Sequence, residues 1–223
     1  MKPRELLATA QIPGGGELRL YRRDGDFTIV LGGNELMSSR VSGSEEALAL
    51  MTCARLRSDA PHLLIGGYGM GFTLRAALAH LGAGARLTVA ELVSEIVAWA
   101  RGPMAALTAD CLDDPRVQLL NGDVAQAIAI ASAKSRYDAI LLDVDNGPDG
   151  LVRAENDYLY SSKGLASAKS ALKRGGILAI WSAAPDANFT RRLINAGFAV
   201  EEAIVRARAN KGARHQIWFA RAP

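Results

Sequence analysis

The stretch His62–Leu78, HLLIGGYGMGFTLRAAL, constrains this 223-residue chain more than any other. A short apolar run, Leu63-Leu64-Ile65, breaks into four closely spaced glycines and then into helical periodicity. Such a run suits a strand covered on both faces. Gly66, Gly67, Gly69 and Gly71 lack the Cβ atoms that would block positive φ angles and close approach of a ligand to the backbone. From Phe72 onward, Leu74, Ala77, Leu78 and Leu81 recur at helical spacing, and the start of a helix offers unpaired N–H groups. The segment reads as a nucleotide-binding strand, turn and helix, although a purely structural turn has a similar pattern.

About 20 residues downstream, nucleoside-binding folds place an acid that catches ribose hydroxyls. Arg86–Glu91 is a short apolar strand ending in Glu91, followed by a helical segment through Trp99. A surface glutamate favoured by the helix dipole is the plainer reading of the same residue. Together with the glycine turn, the ribose role is the stronger expectation.

From His62 onward, strands and helices alternate. Strands are expected at 62–65, 86–91, 117–120, 139–143 and 177–181, with helices from Phe72, Val93, Val124, Ser162 and Asp186. This alternation implies a mostly parallel sheet covered by helices. Ala199–Val205 and His215–Ala220 close the chain as an antiparallel hairpin, so the expected fold is α/β and Rossmann-like, of the class I methyltransferase type. It has seven strands, the last one antiparallel. The first 40 residues differ: short alternating runs at Glu17–Arg22, Phe27–Leu31 and Glu35–Ser38 are separated by Gly14-Gly15-Gly16, Asp24-Gly25 and Gly32-Gly33. This predicts a small antiparallel β region over residues 1–42, ahead of a nucleoside-binding transferase domain over 43–223. A helix is expected from Gly43 or Ser44 to about Arg57.

In an open parallel sheet the ligand crevice lies beyond the carboxyl ends of the strands. After the strand at 117–120 comes Asn121-Gly122-Asp123, where Asp123 suits an exocyclic amine such as that of adenine, or equally the N-cap of the next helix. At the end of the strand at 139–143 comes Asp143-Val144-Asp145-Asn146-Gly147-Pro148. Asp143 suits a general base for an incoming amine, or a group that orients a positive centre on the donor, and Asp145 suits the same work less directly. Loop-capping acids are the alternative for both.

Composition excludes several classes. Hydrophobic residues at 49% and charged residues at 22% are those of a soluble globular protein. No apolar run reaches membrane-spanning length and MKPRELLATAQ has no signal-peptide core, so a cytoplasmic location and no membrane partner are expected. Arg191, Arg192, Arg206, Arg208, Lys211, Arg214 and Arg221 concentrate late in the chain, but without interleaved aromatics they read as a solvated face, and a nucleic-acid partner is not expected. Cys53 and Cys111 are isolated, and His62, His80 and His215 share no ligand spacing, so neither a disulfide framework nor a metal is expected.

In order along the chain, GGYGMGFTLRAAL, VAELVSEIV, DPRVQLLNGD, YDAILLDVDNGPDG and LKRGGILAIWS resemble the pattern of spermidine synthases and their methyltransferase-fold relatives. The resemblance covers about Leu31 to Trp181, with the small β region before it also matching. It implies a site for S-adenosylmethionine, its decarboxylated form or methylthioadenosine. It also implies that Glu91 holds ribose, Asp123 lies near adenine and Asp143 handles the reacting amine. Departures fall on the acceptor side. The family's Tyr-His-Glu segment falls on Ser44-Glu45-Glu46, leaving only Glu46, and the second acid of its D-x-x-D motif falls on Asn146 beside Asp145. Its downstream aromatic pair falls near Gly164-Leu165, with Tyr158 and Tyr160 several residues early. A diamine needs acids and aromatic faces to hold it. The expected reaction is therefore methyl transfer to an unidentified small-molecule acceptor. Aminopropyl transfer from decarboxylated S-adenosylmethionine to a polyamine is the alternative. A non-catalytic nucleoside-binding scaffold, dimerising through its β-extension, is the third reading.

Overall fold

A computed structural model of the chain describes residues 3–131, 136–144, 157–208 and 211–223. The N-terminal strands β1 (Glu5–Gln11), β2 (Glu17–Arg23), β3 (Asp26–Leu31) and β4 (Asn34–Ser38) form an antiparallel sheet in sequence order. Both of its two-residue turns have positive φ throughout: Asp24 and Gly25 at 52° and 89°, Gly32 and Gly33 at 54° and 96°. That is the turn geometry whose twist matches paired strands. Three of these strands are the alternating runs of the sequence. The fourth, β1, is not legible there, because a bulge between Leu6 and Ala8 breaks its alternation.

Helix α1 (Gly43–Cys53) leads into a seven-stranded sheet. Its strands are β5 (His62–Gly66), β6 (Arg86–Glu91), β7 (Val117–Asn121), β8 (Tyr137–Leu142), β9 (Leu172–Ser182), β10 (Ala199–Arg208) and β11 (Lys211–Arg221), in the spatial order β10-β11-β9-β8-β5-β6-β7. Pairing is parallel from β7 to β9. Strand β11 is antiparallel to both β9 and β10, which makes it an interior strand. The expected Rossmann-like architecture with an antiparallel last strand is the one observed. Strand β9 starts earlier than the sequence pattern indicates, at Leu172, because an irregularity between Tyr137 and Ala139 in its pairing with β8 bridges a polar Lys-Arg-Gly-Gly stretch.

The crossover helices are α2 (Phe72–His80), α3 (Ser94–Arg101), α4 (Ala105–Thr108), α5 (Val124–Ile130), α6 (Asp157–Tyr160), α7 (Ser162–Ala171) and α8 (Ala187–Asn195). The strands are apolar on both faces because both are covered. Leu63, Ile65, Val89, Leu141 and Phe219 face a core shared with α1, α2, α3 and the N-terminal sheet. Leu64, Ile140, Leu178, Ile180 and Trp218 face a second core under α5, α7 and α8. Among the described residues no helix is long and apolar enough to cross a membrane.

Strand order reverses beside β5, which pairs with β6 on one side and β8 on the other. Chain segments leaving β5 and β8 therefore diverge, and the space between their carboxyl ends is where such a sheet binds ligands. The N-terminal sheet supplies a second wall to that space, through Leu18, Ile29, Leu36 and Met37.

Candidate active site

The cavity at this switch point begins with the glycine turn. Gly67 has φ +83°, and a Cβ there would meet the Asp143 carbonyl oxygen at 2.5 Å. At Gly69, with φ +55°, a Cβ would meet the Met37 sulfur at 2.5 Å. Both line the cavity. Gly66 and Gly71 lie behind it: a Cβ on the first would strike Val124, and one on the second the Tyr68 ring. Of the four glycines, two line the cavity and two lie behind it, and at each a Cβ would strike protein atoms.

Glu91 ends β6 with only 5% of its surface exposed. Its carboxylate accepts from the Tyr68 and Val93 backbone N–H groups, each at 2.8 Å, and so ties β6 to the glycine turn. Burial raises its pKa, while these and neighbouring backbone N–H groups pull it back. Asp123 caps α5, accepting from the Ala125 N–H at 2.8 Å, and also lines the cavity. Of the two sequence readings of Asp123, the N-cap is the one the hydrogen bond shows.

Asp143 follows β8 and accepts from the Thr73 hydroxyl, in the first turn of α2, at 2.9 Å. Burial, and second the neighbouring Glu45 carboxylate, push the Asp143 carboxyl up to about 7, against the Thr73 hydrogen bond. Asp145 and Asn146 lie outside the described residues.

Glu45 was missed by counting back from the glycines, which singled out Glu46. The structure places Glu45 on the cavity wall and leaves Glu46 exposed beside Leu50 and Arg75 in a separate groove. Helix phase explains the difference. Glu45 precedes the buried Leu48, Ala49 and Thr52 by three, four and seven residues, so it shares their inward face. Burial raises the Glu45 pKa, against a hydrogen bond from the Ser44 hydroxyl at 2.6 Å.

The aromatic member of the site is Trp181, near the end of β9. Among the described residues its indole N–H is the buried side-chain polar atom without a hydrogen-bond partner. Tyr158 and Tyr160 are not brought to the cavity. Tyr160 is buried edge-on against Phe189, and Tyr158 reaches the Ser167 hydroxyl at 3.2 Å. Among the described residues lining the cavity, the ionisable side chains are Glu45, Glu91, Asp123 and Asp143, with no lysine, arginine or histidine.

No family model matches the sequence, and no curated protein matches it. Solved structures do. A spermidine synthase in complex with the transition state analogue AdoDATO is similar at TM-score 0.80 and 17% identity, over 98% of this chain and 74% of that one. The spermidine synthase from Thermotoga maritima is similar at TM-score 0.76 and 16% identity, over 98% of this chain and 72% of that one. This chain therefore has the fold of spermidine synthases from end to end, including the small N-terminal sheet.

Proposed function

We propose that the chain is an aminopropyltransferase, which moves an aminopropyl group from decarboxylated S-adenosylmethionine to an amine acceptor. One observation carries this reading: the cavity's described ionisable side chains are all carboxylates, with Glu45 and Asp143 influencing each other beside the Trp181 indole. A decarboxylated sulfonium donor and a protonated amine are both cations, and acids with an aromatic face are what would hold them. The methyl-transfer reading has less support, because S-adenosylmethionine would bring its own carboxylate into this acidic space. Likeness of fold to a spermidine synthase bound to AdoDATO agrees with the choice.

In this reading Glu91 accepts from the ribose hydroxyls, Asp123 from the adenine amine, and Gly67 and Gly69 let the donor approach the backbone. The acceptor nitrogen lone pair forms the new C–N bond as the C–S bond breaks, its electrons leaving the sulfonium as a neutral thioether. Alignment does most of the work in such a displacement. The remaining need is a base for the nitrogen's proton, and a carboxyl near neutrality suits it. Asp143 takes that role.

Calorimetric titration with S-adenosylmethionine, its decarboxylated form and methylthioadenosine tests the reading, followed by turnover with putrescine. Decarboxylated donor is expected to bind at least about tenfold more tightly than the carboxylated one, the equivalent of about 1.4 kcal/mol. Tighter binding of S-adenosylmethionine, with release of S-adenosylhomocysteine, would overturn it in favour of methyl transfer. Binding of the nucleosides without any turnover would favour the scaffold reading.

A further inference from the structure

Glu45 does not stand alone on its wall. The Ser44 hydroxyl that donates to Glu45 Oε2 at 2.6 Å also meets His215 Nδ1, on β11, at 2.8 Å. Ser44 is buried, and the imidazole lies edge-on to Trp181 with ring centroids 4.8 Å apart. Three residues from two distant parts of the chain thus form a line of hydrogen bonds that ends at a cavity carboxylate. We propose that His215 and Ser44 are positioning residues, a hydrogen-bonded chain that sets the orientation and protonation of Glu45 inside the cavity.

The chemistry of the line has two complementary states. A serine hydroxyl has one proton to give and can accept as well. With Glu45 ionised, Ser44 gives its proton to the carboxylate and must accept from His215 Nδ1–H, leaving Nε2 without a proton. When Glu45 takes a proton, every bond in the line reverses: the carboxyl donates to Ser44, Ser44 donates to Nδ1, and the imidazole proton sits on Nε2. Burial holds the His215 pKa below the ordinary histidine value, so the ring is neutral near neutral pH and carries one N–H. On the elements packed around the ring, its charged neighbours are Glu45 on α1, reached through Ser44, and Arg214 on β11 and Arg206 on β10, next to it in the strand register and both exposed.

For the reaction, this inference rests on the aminopropyl-transfer reading above. The attacking amine becomes a substituted ammonium as the C–N bond forms and must then release one proton. Once that proton reaches Glu45, from Asp143 or directly, the ring exchanges its Nδ1 proton through solvent for one on Nε2; Glu45 then gives its proton to Ser44 as Ser44 gives its own to the bare Nδ1, and the ring discharges the Nε2 proton to solvent, restoring Nδ1–H. Charge and proton number balance, and the cavity returns to its starting state.

The tautomer is the direct readout. In the full chain at about pH 8, where a neutral imidazole is assured, nitrogen-detected NMR is expected to find His215 protonated on Nδ1. In S44A the ring should revert to Nε2–H. An Nε2–H tautomer in the unsubstituted protein, or a tautomer indifferent to S44A, would overturn the proposal whatever the activity. Turnover of the decarboxylated donor with putrescine gives the second arm. H215N keeps an N–H near Nδ1 but cannot pass a proton on, so kcat is expected to fall by about tenfold or more while the putrescine KM stays within about twofold. An H215N enzyme with undiminished kcat would overturn it. Should the unsubstituted protein turn nothing over, the aminopropyl reading fails, and the tautomer still decides for or against the hydrogen-bonded chain.

Discussion

A carboxyl group held near neutrality makes the whole protein respond to pH in a way an ordinary aspartate does not. Unfolded, an aspartate titrates near 4; folded, Asp143 titrates at about 7. Between those values the folded chain keeps a proton that the unfolded chain has lost, so the contribution of this group to stability is full below about pH 4 and is lost as pH rises through about 7. Urea midpoints of the unsubstituted protein and of Asp143→Asn should therefore diverge across that window, the variant gaining as pH rises. A constant difference would show that Asp143 is not shifted. In the proposed reaction the base must be ionised, so kcat/KM should climb through the same region, and Asp143→Asn should retain donor binding while losing turnover. Glu91 makes a different prediction. With both oxygens already tied to backbone N–H groups, Glu91→Ala should weaken nucleoside binding by about 1–3 kcal/mol and also lower the melting temperature. Calorimetry below the melting range separates the two losses, and unchanged affinity would remove Glu91 from the ribose role.

At the level of elements, the division of labour within α1 is the sharpest statement. Its two adjacent glutamates face different ways, Glu45 toward Asp143 and Glu46 toward solvent. Glu45→Gln is expected to raise the KM for an amine acceptor severalfold, and Glu46→Gln to leave it unchanged; steady-state kinetics on the pair tests the helix phase directly. The reverse ranking would return the role to Glu46. The strands at the sheet's centre were legible because burial on both faces leaves an unbroken apolar run such as Leu63-Leu64-Ile65. Asp24-Gly25 and Gly32-Gly33 were legible because backbone geometry demands those residue types. Strand β1 was not, since its bulge erases the alternation that marks a strand. Neither was the grouping of Ser44, Trp181 and His215, because residues joined only by tertiary packing leave no local periodicity. Glu45 was recoverable: helical spacing to Leu48, Ala49 and Thr52 is written in the sequence and outranks a motif counted across a loop.

For the molecule as a whole, the two sheets share one cavity. The N-terminal sheet contributes apolar side chains, and helix α1 and the strand ends of the larger sheet contribute the acids, so a ligand seated there touches both sheets. Donor binding should accordingly stabilise them together. At about one hundred times its dissociation constant a ligand adds about 2.7 kcal/mol, and hydrogen exchange should slow in β2 and β3 as well as around the glycine turn. Protection confined to the larger sheet would mean that the N-terminal sheet does not take part in binding.

Strand β11 lies between β9 and β10, although it follows both in the chain. During synthesis, then, the two neighbours exist before the strand that joins them. Until β11 emerges, β9 presents a bare edge rich in aliphatic side chains, and β10 has no hydrogen-bonded place in the sheet. Unpaired edges of that kind attract other chains. The same strand carries Trp218 into one core and His215 toward the cavity wall. The active arrangement and the closing of a hazardous edge therefore arrive in a single late step, and a ribosome stalled before that strand would hold a chain with neither.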